Sequence, residues 1–211
     1  MNQDQPQADS PIIPLARLDL YNEAIIMTKF GHNSSTSYPV SIHDLAGAFG
    51  QVPASSGFLP PNTLFHGRVG GQEFMGIYFS SSTVTVTVEE GMMTIRFPPT
   101  IFIGCGKQYK IYAVTSYPKN QNVVLYQYPS PNVWSDGRIC AGDTPFPTCS
   151  PESIIKAFKL FIQSRFNTHL SNEKCKSHPN NIIELWRTLD GQEEFPISEL
   201  VLSTASLRAW V

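Results

Sequence analysis

The spacing of hydrophobic and polar positions predicts a strand-rich region followed by a helical one. Threonine and valine alternate strictly over residues 83–88, which predicts a half-buried strand with its valines inward. Short apolar runs separated by Gly, Pro and Asn turns predict further strands. The predicted strands are residues 24–27, 64–68, 73–79, 83–88, 92–97, 100–104, 110–116 and 123–128.

Helical spacing of large apolar residues begins after residue 150. It predicts a helix over residues 152–166, with Ser150 as its cap and Pro151 in its first turn. A second helix is predicted from Asn180 to Leu189. A short earlier helix, residues 41–49, is predicted with Ser41 as its cap.

This order of elements predicts an α+β fold, in which an antiparallel β-meander is followed by C-terminal helices. Residues 1–16 are predicted to be a flexible leader, and residues 31–38 a polar loop. Residues 195–201 fit either a short helix or a strand. The chain contains no internal repeat.

Composition narrows the function classes. The 211 residues are 41% hydrophobic and 15% charged, which is typical of a globular chain rather than a disordered one. The net charge of -2 gives no electrostatic footprint for nucleic acid. The chain contains no run of about 18 apolar residues, so no membrane span is expected. The first ten residues are polar and contain no apolar run, so no signal peptide is expected there. Four cysteines without an export signal fit free thiols in a reducing cytoplasm.

Candidate chemistry is concentrated in residues 130–140, which read SPNVWSDGRIC. Cys140 follows Asn132 by eight positions, and a turn signal at Asp136-Gly137 lies between them. A nucleophilic thiol needs an exposed but fixed position, and a nearby amide can stabilise a developing oxyanion. A turn-rich loop on a rigid scaffold supplies both.

This segment resembles the active-site flap of ubiquitin-conjugating enzymes. That family reads His-Pro-Asn and then, often, Asp-Gly-x-Ile-Cys, with the same step from Asn to Cys. A Trp-Ser-Pro and an amphipathic helix follow in the family, where this chain has Cys149-Ser150-Pro151 and the predicted helix. The chain is also similar to divergent prokaryotic members of the family, including protein B of the PRTRC plasmid-associated systems.

The resemblance implies a role for each residue of the segment. Cys140 would accept a ubiquitin-like modifier as a thioester, and Asn132 would either stabilise the oxyanion or order the flap. Ser130 stands where the family has His, so it bears on flap geometry more than on thioester chemistry. Pro131, Asp136 and Gly137 would shape the flap as turn residues.

The resemblance also implies how the chain is organised and what it works with. Residues 63–211 would form the ubiquitin-conjugating-like core, and residues 1–62 a divergent N-terminal extension packing on it. The expected partners are a ubiquitin-like modifier, an ATP-dependent activating enzyme and a deconjugating metallopeptidase. Prokaryotic relatives point by analogy to plasmid maintenance or antiphage defence. The family's gate residue for the attacking lysine would fall near residues 171–173.

Other functions stay open at this stage. A catalytically inactive scaffold that binds a modifier or its activating enzyme is the main alternative. A cysteine hydrolase would need a His base near Cys140, and no His lies within 28 residues of it in sequence. A zinc site built from Cys140, Cys149, Cys175 and His178 lacks the tight Cys spacing of such centres, so no metal is expected. No nucleotide-binding loop is present, and no cofactor is expected.

Overall fold

The computed structural model describes residues 14–50 and 56–210. By internal contacts the chain divides into two compact units, Met1–Ser55 and Ser56–Val211. Most of the predicted leader lies outside the described residues, and Ala16 is already the first residue of a strand.

The first unit contains an antiparallel three-stranded sheet in the order β1-β2-β3, followed by a helix. Its elements are β1 (Ala16–Leu20), β2 (Ile25–Phe30), β3 (Ser35–Val40) and α1 (Ile42–Gly50). The predicted cap is present, because Ser41 Oγ accepts the Asp44 N–H at 3.0 Å. The polar loop predicted for residues 31–38 is wrong in its second half, since β3 pairs along the whole of β2.

The second unit contains a five-stranded antiparallel sheet in the order β10-β9-β8-β5-β4. A separate two-stranded hairpin, β6-β7, leaves this sheet between β5 and β8. The strands are β4 (Thr63–Val69), β5 (Gln72–Phe79), β6 (Ser82–Val88), β7 (Gly91–Phe97), β8 (Thr100–Cys105), β9 (Gln108–Ala113) and β10 (Tyr126–Gln127). The predicted single meander is therefore interrupted, and the strand predicted for residues 123–128 is reduced to two residues.

Two helices follow the strands of the second unit, α2 (Ile154–Ile162) and α3 (Ile182–Leu189). The helix predicted for residues 152–166 starts later because the hydroxyl of Ser153 donates to the Thr148 carbonyl at 2.6 Å. It ends earlier because Phe166 N–H donates to the Thr87 carbonyl at 2.8 Å, which draws the chain onto β6. For α3, Asn181 rather than Asn180 is the cap, and its side chain accepts the Ile183 N–H.

The α+β class is confirmed, but not every helix lies after the strands, because α1 precedes β4. Residues 195–201 contain a short 3-10 helix, Ile197–Glu199. No helix in residues 14–50 or 56–210 combines the length and apolar character that a bilayer crossing requires.

The main hydrophobic core of the second unit lies where α2 and α3 pack on the strands. Phe158 stacks on Phe79 with ring centroids 3.9 Å apart, and Trp186 meets Phe97 edge-on at 5.5 Å. A smaller apolar cluster contains Tyr112, with Leu207 from the C-terminal segment. The core thus fixes β9, α2 and α3, the three elements around the Cys140 segment.

Candidate active site

Residues 132–140 form a β-hairpin that ends at Cys140. Val133 and Ile139 pair across it, and Cys140 N–H donates to the Asn132 carbonyl at 2.8 Å. At the tip, Gly137 N–H donates to the Trp134 carbonyl at 2.9 Å. A turn closed by a glycine of positive φ is the usual geometry of a three-residue hairpin loop. We call residues 130–140 the flap hairpin.

The second arm of the flap hairpin lies against β9. Ile139 N–H donates to the Tyr109 carbonyl at 3.0 Å, and Ile111 N–H donates to the Gly137 carbonyl at 2.9 Å. The hydroxyl of Tyr112 donates to the Asp136 carbonyl at 2.6 Å. The arm therefore extends the five-stranded sheet by main-chain pairing, and Cys140 lies at the end of that pairing.

Gly137 is the closest contact between the hairpin tip and the sheet. Its φ is +84°, and a Cβ placed on it would lie 2.4 Å from ring atoms of Tyr112. A side chain is thus opposed both by backbone conformation and by space. Burial, and secondarily the charge of Asp136, raises the pKa of Tyr112 to about 12, so the phenol stays protonated and donates its hydrogen bond at neutral pH.

Asp136 contributes to the tip through Arg138. Its carboxylate accepts the Arg138 N–H at 3.1 Å and pairs with the Arg138 guanidinium at 2.7 Å. Partial burial alone would raise the pKa of Asp136, but the Arg138 contacts and the nearby charge of Lys110 outweigh it, and the pKa is lowered. Both side chains of the pair are about half exposed, so the pair shapes the turn more than it stabilises the fold.

Asn132 links the first arm of the flap hairpin to the end of α2. Its side-chain amide donates to the Arg165 carbonyl at 3.0 Å, and its own N–H reaches the His169 carbonyl at 3.4 Å. Its φ is +61°, a left-handed conformation that asparagine tolerates better than most residues. The side chain of Asn132 is thereby engaged in ordering the loop in this structure.

Ser130 and Pro131 are buried beneath the first arm. The hydroxyl of Ser130, which is fully buried, donates to the Pro131 carbonyl at 2.9 Å. Just before it, the Pro129 carbonyl accepts the indole N–H of Trp186 at 3.0 Å. The small serine therefore satisfies its own hydrogen bond in a site closed by α3, at the position where ubiquitin-conjugating enzymes, which this segment resembles, have a histidine.

Cys140 opens onto a cleft of about 580 Å³. Asn132 lines the same cleft, whereas Ser130, Pro131, Asp136 and Gly137 do not. The remaining wall comes from the loop after Cys140, the last turn of α2 and the segment after α2. These wall residues are Ala141, Gly142, Asp143, Thr144, Pro145, Phe146, Phe161, Ser164, Arg165, Asn167 and His169.

Two of the other cysteines differ from Cys140 in their surroundings, whereas Cys105 is partly exposed like it. Cys140 is partly exposed, whereas Cys149 and Cys175 are buried. Burial, with smaller contributions from Cys105 and Glu73, raises the pKa of Cys149 to about 11. Burial also raises the pKa of Cys175, whose thiol donates to the His178 carbonyl at 3.3 Å. Buried thiols of this kind are poor nucleophiles.

Several residues of the cleft were not found by the sequence reasoning. His169, which has no ligand spacing in the sequence, is an exposed loop residue that lines the cleft with Cys140, while residues 171–173, where the family's gate residue would fall, do not. The only available signal was its position shortly after α2, because its distance in sequence from Cys140 conceals the approach. Across residues 14–50 and 56–210, no cluster of three or more His, Cys, Asp or Glu suited to a metal occurs.

Comparison with known proteins gives one family. Residues 38–203 match the sequence model of prokaryotic E2 family D, which is most of the chain. Neither the curated proteins nor the solved structures contain a match. The chain belongs to prokaryotic E2 family D.

Proposed function

We propose that the protein carries a ubiquitin-like modifier as a thioester on Cys140 and transfers it to an amine. The observation that carries the proposal is the position of Cys140 in a chain of the E2 family: a partly exposed thiol, fixed at the end of a hairpin, on the wall of an open cleft. A thiol so placed is accessible to an incoming thioester and remains fixed afterwards.

The chemistry asks little more of the protein. In the loading step the Cys140 sulfur attacks the thioester carbonyl of the activated modifier, and the thiol of the activating enzyme leaves. In the transfer step an amine attacks the Cys140 thioester and the Cys140 thiolate leaves. Because ATP has already been spent in activation, the site has to position the reactants rather than activate the carbonyl.

Asn132 supports this scheme as a flap-ordering residue. Its amide donates to the Arg165 carbonyl, and its own carbonyl accepts the Cys140 N–H. The two bonds join Cys140 to the end of α2 through a single residue. An amide committed in this way serves position first.

The proposal requires partners that recognise the cleft. These are a ubiquitin-like modifier and an ATP-dependent activating enzyme, with a deconjugating metallopeptidase as a further member of the system. The net charge of -2 provides no general attraction for nucleic acid. A reducing cytoplasm is the compartment in which a free thiol such as Cys140 stays available.

A scaffold without thioester chemistry is the second candidate. The observation that favours it is the buried Ser130 in place of the family's histidine. A hydrolase is supported less well: His169 lines the cleft, but no hydrogen bond joins it to Cys140, and no carboxylate orients its ring, among the residues described.

A thioester assay tests the proposal. The protein is incubated with ATP and with the ubiquitin-like and activating proteins encoded beside its gene, and the products are run on a non-reducing gel. We expect a modifier-sized shift that dithiothreitol removes and that Cys140→Ala lacks. Cys105→Ala, which removes another partly exposed thiol, is the matched control and should load normally.

Two results would count against the carrier function. An unshifted wild type beside a demonstrably charged activating enzyme would favour the scaffold. A Cys140→Ala protein that no longer folds, judged by its thermal unfolding, would make the cysteine structural.

A further inference from the structure

His169 lies in the Cys140 cleft but has no part in the scheme above. It is exposed and lines the cleft together with Cys140 and Asn132. It follows α2 by seven residues, in a segment that returns to the flap hairpin. Its place in the wall brings a titratable side chain to the space in which an attacking amine must stand.

The backbone of His169 is held from two directions. Its N–H donates to Asn167 Oδ1 at 2.9 Å, and its carbonyl accepts the Asn132 N–H at 3.4 Å. Its ring meets Trp134 edge-on, with ring centroids 6.3 Å apart. The imidazole is therefore positioned against the flap hairpin rather than free to rotate into solvent in every direction.

Neither ring nitrogen of His169 has a hydrogen-bond partner among residues 14–50 and 56–210. His178, in the same loop, differs in this respect, because its Nδ1 lies 2.8 Å from Ser177 Oγ. The His169 ring thus has an unoccupied proton-accepting position, which is what a general base needs.

The other charged or titratable groups of the cleft are Cys140, Asp143 and Arg165. Arg138 also lies near, because its guanidinium is 6.0 Å from the Trp134 ring that His169 contacts. Arginine stays protonated and accepts no proton. A carboxylate is a weak base at neutral pH, whereas imidazole is the side chain suited to exchange protons there. Among these groups His169 is the best matched to proton transfer.

Transfer to a lysine requires a base at some point. The amine nitrogen forms a bond to the thioester carbon, the bond from that carbon to Cys140 sulfur breaks, and the thiolate leaves. The nitrogen begins the step with one more proton than the amide product keeps. That proton must pass to a base in the cleft or to water.

We propose that His169 accepts this proton and is a catalytic residue of the transfer step. The inference rests on the proposed thioester function and assigns the base within it. It predicts an effect on transfer and none on loading, since loading exchanges one thiol for another. General-base catalysis of this kind contributes about 10²–10⁴-fold in rate.

The test is single-turnover discharge of the purified Cys140 thioester into free lysine or into hydroxylamine. Hydroxylamine is a much weaker base than lysine, so the nitrogen of its addition intermediate gives up its proton to water readily and needs little help from a base in the cleft. We expect His169→Gln to load normally, to discharge into lysine at least about 10²-fold more slowly, and to discharge into hydroxylamine at nearly the wild-type rate. His178→Gln, in the same loop, is the matched control and should match the wild type in all three.

A second variant separates chemistry from shape. His169→Ala should lose the same lysine discharge and recover part of it when imidazole is added, whereas a purely structural defect would not respond. Equal slowing with lysine and hydroxylamine, or no rescue, would overturn the base role. If the wild type forms no thioester at all, the carrier proposal itself fails, and this outcome is distinct from normal loading with unaffected lysine discharge in His169→Gln.

Discussion

The two sides of Cys140 are held in different ways. Before it, the flap hairpin is joined by main-chain hydrogen bonds to β9 and by Asn132 to the end of α2. After it, residues 141–146 are mostly exposed, and their described main-chain bonds are local ones, from Thr144 N–H to the Ala141 carbonyl and from Phe146 N–H to that of Thr144. The thiol is thus fixed from one side, while the loop on the other side is anchored mainly at its end, where the Phe146 ring packs on Tyr109 with ring centroids 5.4 Å apart.

This difference suits a carrier. The position of the nucleophile must be reproducible, because small displacements of reacting atoms are costly in rate. In the proposed function, the wall would meet a modifier and then a substrate, and it would have to accommodate both. Loops with few buried contacts are the regions that adapt most readily.

Two glycine substitutions, one before Cys140 and one after it, should differ most strongly in their cost to the free energy of unfolding. Gly137→Ala, in the flap hairpin before Cys140, places a Cβ 2.4 Å from the Tyr112 ring at a φ of +84°. It should lower the free energy of unfolding by about 3 kcal/mol. Gly142→Ala, in the loop after Cys140, stands at a φ of +50° with no atom within 4 Å of the added Cβ. It should lower the free energy of unfolding by about 1 kcal/mol. Urea unfolding measures both, and equal costs would refute the distinction.

The buried Lys174 should make the stability of the fold depend on pH. It is buried, its ammonium donates to Gln127 Oε1 at 3.1 Å, and burial lowers its pKa to about 8 against the partial opposition of Asp136 and Glu173. The folded state releases this proton before the unfolded state does, so stability rises with pH between about 8 and 10.5 and is lower below that window.

The comparison is made with Lys174→Met, which has no proton to release. Relative to this variant, the wild type should gain about 2 kcal/mol in free energy of unfolding from pH 8 to 10.5. Denaturant titrations at each pH measure this gain. The exposed Lys176→Met serves as control and should follow the wild type. A constant difference between wild type and Lys174→Met across the window would contradict the assignment.

Substitutions of Asn132 should have a smaller effect on stability. Asn132→Asp keeps the size of the side chain but loses the donor to Arg165, and should cost about 1–2 kcal/mol in the free energy of unfolding. Asn132→Gly tolerates the positive φ and loses only the side-chain bond, at about 1 kcal/mol. Thermal unfolding ranks the two.

The same variants separate the two roles of Asn132. If it orders the flap hairpin, both should slow loading and transfer to a similar degree. Selective slowing of transfer, with loading intact, would instead favour the oxyanion role.

Local sequence patterns predict many of the strands and helices of the second unit. Val86 and Val88 are buried as the alternation in residues 83–88 predicts. The β3 strand was missed because serines and threonines supply no apolar alternation, and its formation depends on pairing with β2. The helix ends were displaced by contacts distant in sequence, such as that of Phe166 with Thr87.

The site was predictable only in part for the same reason. Cys140 and Asn132 could be named because a turn and a fixed step lie within one short segment. His169 could not, because its approach depends on the length of α2 and on the path of the segment after it. The engagement of the Asn132 amide by the Arg165 carbonyl likewise follows from tertiary packing, to which a sequence motif is blind.

The main-chain attachment of the flap hairpin to β9 has a consequence for evolution and engineering. Since N–H and carbonyl groups make most of that attachment, the identity of many side chains in the hairpin is under little constraint from it. Ser135, which is exposed at the tip, is a position where the sequence can change, or a combinatorial library can be introduced, without displacing the thiol, whereas Trp134 beside it contacts the His169 ring. In the proposed carrier function, selectivity for different modifiers would therefore be open to diversification at the tip of the hairpin while the nucleophile keeps its place.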